Sequence, residues 1–229
     1  MRDPNPLNAL CRAAELRCVN IDLPGNGAPS VVSHNRGGAR ALSDVLVDRM
    51  VARDAVSADL FFLGGVADEF DTASRIAGFA DALAANAVTP APDAIQCCGY
   101  APTSAAECLA ARHGQLGRLP AGLFVSGVTA LAGSLRFMST LPAAGFQSVF
   151  VGSFDWDPFA GHLPFDVTMI RQDGEAIAGG FAQLDRYRPG DHPVVLVPTP
   201  FGGLGERDGF QEDWDAESGS ADAPGHAAG

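Results

Sequence analysis

From residue 7 to residue 201, short apolar runs alternate with windows of helical periodicity, and this alternation limits the chain more than any other feature. It specifies an α/β fold built on parallel sheets, because a parallel neighbour is reached only through a crossover long enough to hold a helix. The runs predict strands over 17–22, 30–33, 59–63, 93–98, 122–126, 148–152, 166–171 and 193–198. Helices are predicted near 5–15, 36–52, 71–87, 103–114, 128–141 and 173–187. In 71–87 the residues Ile76, Phe79, Ala80 and Leu83 make one stripe, and in 173–187 Ile177, Phe181 and Leu184 make another, so both helices are expected to pack on a sheet. Past about residue 203 the periodicity stops. The acidic, small-residue segment from 206 to 229 is expected to be a disordered tail.

Composition removes several function classes. Hydrophobic residues make up 47% of the 229, enough for a packed core. The formal charge of −12 argues against the chain gripping nucleic acid or an anionic membrane unaided, because phosphate binding needs clustered basic residues. No apolar run approaches the roughly 20 residues needed to span a bilayer. The first ten residues show no apolar signal core, and the five cysteines have no C-x-x-C spacing. A reduced, cytoplasmic setting is the expectation.

Enzyme signatures are missing from the places where they would have to stand. Gly64-Gly65 follows a strand, but no lysine follows to meet a phosphate, and Asp68, Glu69 and Asp71 would repel one. Ser126-Gly127 lacks the flanking glycine of a nucleophile elbow. The five histidines are scattered, and none stands four residues from another, so no metal site can be read. Neither a catalytic group nor a cofactor is predicted.

What remains is a set of polar side chains at strand ends, where parallel α/β sheets bind ligands. Asp22 closes the strand at 17–22, Asp155 follows 148–152, Gln172 follows 166–171, and Arg75 lies in the helix after 59–63. Carboxylates, an amide and a guanidinium together suit a hydroxyl-rich ligand, since they offer bidentate acceptors and forked donors. Trp156, Phe154 and Phe70 could supply apolar faces for a sugar ring. Asp71 belongs to the same candidate set, although as the residue before TASRIAGF it also reads as a helix N-cap.

Several blocks carry a family resemblance: SVVSHNRGGARAL (30–42), FFLGG followed by SRIAGF, GLFVSGVTALAGSLR (122–136), SVFVGSFDWDPFA (148–160) and VTMIRQD (167–173). In this order, and over about residues 7 to 203, the chain resembles the effector-binding core of the LacI/GalR transcription regulators. That core is similar to type I periplasmic sugar-binding proteins. The resemblance implies two parallel-sheet α/β lobes joined by crossover strands, with a sugar or sugar-phosphate effector between them, and no enzymatic activity. It places the ligand arginine on Arg75, pocket carboxylates on Asp155 and Asp22, and the crossover glutamine on Gln172, with Gly64-Gly65 as a tight turn leading to the cleft. Where the family commonly has Asn-Asp, this sequence has Gly127-Val128. The fructose-responsive subgroup also departs there, so fructose or a phosphorylated fructose is the effector expected.

The resemblance further implies a homodimer and control of operator DNA through an N-terminal helix-turn-helix, which these 229 residues are expected not to include. A first lobe over 1–33 and 172–191, missing its early strands, and a second lobe over 34–171 and 192–205 are expected. A sugar-binding protein of an ABC uptake system is the competing reading.

Overall fold

The computed structural model describes residues 6–25, 28–183 and 193–202, and these form two parallel sheets with helices against them. Helix α1 (Pro6–Ala13) leads to β1 (Asn20–Ile21) and β2 (Ser30–Ser33). Then come α2 (Asn35–Val51), β3 (Leu60–Gly64), α3 (Phe70–Ala85), β4 (Ile95–Cys97), α4 (Pro102–Leu116), β5 (Gly122–Val125) and α5 (Val128–Met138). The chain ends its described course with β6 (Phe150–Phe154), β7 (Val167–Ile170), α6 (Gly174–Gln183), β8 (Val194–Val197) and β9 (Phe201–Gly202). The first sheet has the order β1-β2-β8 and the second β4-β3-β5-β6-β7-β9. All pairings are parallel except that of β7 with β9. The chain therefore passes between the sheets three times, after β2, after β7 and after β8.

The second sheet is covered on both faces, which is why its strands read as continuous apolar runs. Leu60, Phe62, Phe124, Phe154 and Ile170 meet Ala39, Leu42, Leu46 and Met50 of α2 and Phe79 and Leu83 of α3. Phe61, Leu63, Leu123, Val125 and Val151 point the other way, onto Leu109 of α4 and Leu131 and Met138 of α5. Successive strand residues thus serve opposite layers. In the first sheet Val31 and Val197 form a smaller cluster, against which Ile177 of α6 packs.

Helices α2 and α3 cross at Gly78. A Cβ there would lie 2.0 Å from the Arg36 carbonyl oxygen and 2.9 Å from the Arg40 nitrogen, so the close approach depends on a missing side chain. Arg36 closes the same crossing with a two-pronged bond to Asp81, at 2.6 and 2.9 Å. Gly78→Ala would improve helix propensity by about 1 kcal/mol. The backbone clash should outweigh that gain and leave the protein about 1–3 kcal/mol less stable. A urea midpoint that rises instead of falling would show that the helices can part freely.

Each predicted strand and helix is present within a few residues, and three assignments differ. Ala80 faces solvent, and Ala82 takes its place on the buried side of α3 together with Thr72, Arg75 and Phe79. β9 had no forecast, since two residues carry no periodicity. The segment 192–205, expected in the second lobe, is split: β8 pairs with β2 in the first sheet, and β9 joins β7 in the second. An apolar strand is a local signal, whereas the sheet it joins is set by distant partners. The stripe residue Leu184 and the tail at 206–229 lie outside the described residues, as does the Phe181 side chain. All five cysteines are free, and burial pushes the Cys98 thiol up to about 11. No helix among the described residues is long and apolar enough to cross a membrane.

Candidate functional site

The connections that leave the carboxyl ends of both sheets converge on one cleft of about 290 Å³. It is lined by Asp22 after β1, Asn35 after β2, Gly65 after β3, Tyr100 after β4, Ser126 and Gly127 after β5, Asp155 after β6 and Gln172 after β7. Glu69, Asp71 and Arg75 reach it from the start of α3. The volume lies near the lower end of the usual range for small-molecule sites, about 300–1,000 Å³, which suits a monosaccharide-sized ligand.

Arg75 is 6% exposed and held on three sides. Its Nε donates to Asn35 Oδ1 at 2.8 Å, its Nη1 donates to the Ser126 carbonyl, and its guanidinium lies 3.9 Å from the centre of the Phe154 ring. Phe154, a candidate sugar face in the sequence, is instead the platform under the arginine. Burial lowers the Arg75 pKa from its ordinary value, and Asp155 is the foremost of the nearby groups opposing that shift. The group stays a guanidinium, because arginine does not deprotonate in proteins.

A second line of bonds joins the sheets. Ser33 Oγ donates to Gln172 Oε1 at 2.7 Å, and Gln172 Nε2 donates to Asp155 Oδ1. Asn35 Nδ2 donates to the Ser33 carbonyl at 3.2 Å. Two of the sheet-to-sheet crossings, after β2 and after β7, are thereby tied to Arg75 and Asp155. Asp22 and Asp155 both adopt left-handed backbone, with φ of 64° and 80°. Such a residue costs about 1–3 kcal/mol and persists only where its surroundings hold it. Aspartate tolerates the region better than most residues.

Of the six sequence candidates, Arg75, Asp155, Asp22, Gln172 and Asp71 line the cleft and Trp156 does not. Trp156 lies against β9, where a Cβ on Gly202 would come within 2.4 Å of its indole. β9 had no signature in the sequence, so this placement could not be foreseen. Asp71 is not the N-cap of α3; that position is Glu69, and Asp71 stands inside the first turn. Its Oδ1 is buried with no hydrogen-bond partner among the described residues. The glycine pair works by close approach: a Cβ on Gly65 would strike the Tyr100 ring at 2.4 Å.

Asn35, Tyr100 and Glu69 were missed. Tyr100 Oη donates to Glu69, and burial followed by that bond raises the phenol pKa, keeping it a donor at neutral pH. The strand-end rule that singled out Asp22 would also have found Asn35 and Tyr100. At Gly127 the backbone is extended, with φ of 168°, so a side chain would be tolerated there. A Cβ would sit 3.4 Å from Asp155 Oδ2 and 4.0 Å from Arg75 Nη1. This glycine leaves the wall open between the two charged groups. No cluster of three or more metal-ligating side chains occurs among the described residues.

Fold and cleft together define a two-sheet α/β protein with a polar, carboxylate-lined cleft between strand ends. No family model matches the chain. It is 43% identical over 63 residues, 28% of its length, to the ribitol operon repressor of Klebsiella aerogenes. It is 31% identical over 120 residues, 52% of its length, to the sucrose operon repressor of Klebsiella pneumoniae. The matches span 23% and 36% of those two proteins. The Cra transcriptional dual regulator of Pseudomonas putida, solved with fructose 1-phosphate, superposes with a TM-score of 0.73 at 20% identity, over 89% of this chain and 75% of that one. The fold is therefore the one found in LacI-family regulators, among whose solved members it recurs. The resemblance read from the sequence is borne out, and the uptake-protein alternative is not favoured, since the relatives are repressors.

Proposed function

We propose that the chain is the effector-sensing core of a LacI/GalR-type transcription regulator, which binds a sugar or sugar phosphate in the cleft without transforming it. The observation that carries this reading is the convergence of Arg75, Asp155, Asp22, Gln172 and Asp71 from both sheets on one cleft. Bound ligand would touch groups wired to two crossings, so its binding free energy would bear on how the sheets are arranged. In the whole protein, a homodimer, that arrangement would govern operator affinity. Fructose or a phosphorylated fructose is the particular effector that the sequence suggests. The relatives named for ribitol and sucrose, and the neighbour bound to fructose 1-phosphate, support the wider class of polyhydroxylated ligands.

Titration calorimetry of the 229-residue chain with fructose, fructose 1-phosphate, ribitol and sucrose tests the reading. At least one of these is expected to bind with 1:1 stoichiometry and to be recovered unchanged; no heat with any of them would refute it. In the whole regulator, operator DNA should change effector affinity by the same factor as effector changes operator affinity. Equal effector affinity with and without operator would remove the allosteric part of the proposal.

A further inference from the structure

We infer that the cleft selects by charge, taking an uncharged or amine-bearing polyol and excluding its phosphorylated counterpart, with Asp71 the principal excluding group. This rests on the effector-sensing reading and narrows it. Among the described residues, four carboxylates, of Asp22, Glu69, Asp71 and Asp155, line the cleft against the single guanidinium of Arg75. The chain contains no lysine, and no other described arginine lines the cleft.

Those groups are not equally available. Arg75 already spends Nε on Asn35 and Nη1 on the Ser126 carbonyl. Asp155 accepts from Gln172, and Glu69 accepts from Tyr100. Asp71 Oδ1 alone among these carboxylate oxygens is buried without a hydrogen-bond partner. A buried acceptor of this kind calls for a donor. A hydroxyl or an ammonium group supplies one, whereas a phosphate dianion brings only acceptors and further negative charge.

The strongest opposing feature is the amino end of α5, since Val128, Thr129 and Ala130 form part of the wall. A helix N-terminus attracts anions with the equivalent of about half a positive charge. The amino end of α3 carries Asp71 in its own first turn and is already compensated. One guanidinium and about half a charge do not offset four carboxylates.

The test is calorimetry on the 229-residue chain with two pairs of probes at matched ionic strength: fructose against fructose 1-phosphate, and ribitol against ribitol 5-phosphate. The uncharged member of at least one pair should bind about thirty-fold or more tightly than its phosphate, the scale set by like-charge juxtaposition. Asp71→Asn should shrink that ratio by about tenfold. Asp22→Asn, at an exposed position that does not threaten folding, should shrink it in the same direction by a smaller factor. A phosphate that binds the unaltered chain as well as its parent polyol overturns the inference and leaves the effector reading standing. A preference for the uncharged probe that neither variant alters removes the carboxylates as its source. If no probe of either pair binds, and sucrose does not bind either, the effector reading itself fails.

Discussion

Arg75→Ala is expected to weaken effector binding by about 2–5 kcal/mol, or roughly thirty- to several-thousand-fold, as for removal of one partner from a buried charged contact. Among the described residues the guanidinium is the one cation lining the cleft, and its position is fixed by Asn35, the Ser126 carbonyl and the Phe154 ring. Alanine would leave Asn35 Oδ1 without its donor and the carboxylates of Asp155 and Asp71 without a counter-charge. Some loss of stability should follow, so binding must be measured below the unfolding transition of the variant. Arg75→Lys separates the two effects: it keeps the charge but cannot reach Asn35 and Ser126 in two directions at once. It should recover part of the affinity and not all of it. Calorimetry showing the same affinity in Arg75→Ala as in the parent chain would remove Arg75 from ligand binding.

The second large effect belongs to the core. Phe124→Ala should destabilise the protein by about 3–5 kcal/mol, the range for deleting a buried phenyl ring. Phe124 is fully buried, stacks on Phe62 with ring centres 4.9 Å apart, and meets the edge of Phe79 at 5.9 Å. Phe62 and Phe79 are themselves in edge contact at 5.3 Å. Removing the central ring opens the layer beneath α2 and α3, and α3 is the helix that carries Arg75 and Asp71. Urea unfolding should show a lower midpoint with an unchanged slope. A loss under about 1 kcal/mol would mean that the three rings are not close-packed. Effector affinity in this variant should fall only where the folded population falls. A weaker site in fully folded protein would mean that the rings also set the position of α3.

Much of this molecule was legible in one dimension. The β3 run LFFLG and the β5 run GLFV are apolar at every position because both faces of their sheet are covered. The helix at Phe70–Ala85 shows its buried side through Phe79 and Leu83. Such signals are local, set by the geometry of strand and helix, and they survive without knowledge of any partner. The rule that ligands lie beyond the carboxyl ends of parallel strands is nearly as local, and it brought Arg75, Asp155, Asp22 and Gln172 into view before their distances were known. It failed at Trp156, one residue past Asp155, because β9 lies against that ring.

The sequence by itself determined the order and kind of the elements, the two-sheet class and most of the polar residues that meet in the cleft. Only the tertiary structure decided that β8 belongs to the first sheet and β9 to the second, since strand pairing joins segments far apart in the chain. It also made Phe154 the support of Arg75 instead of a face for ligand, and it buried Asp71 Oδ1 without a partner. Burial and hydrogen bonding depend on what arrives from elsewhere in the fold, and no run of neighbouring residues records that.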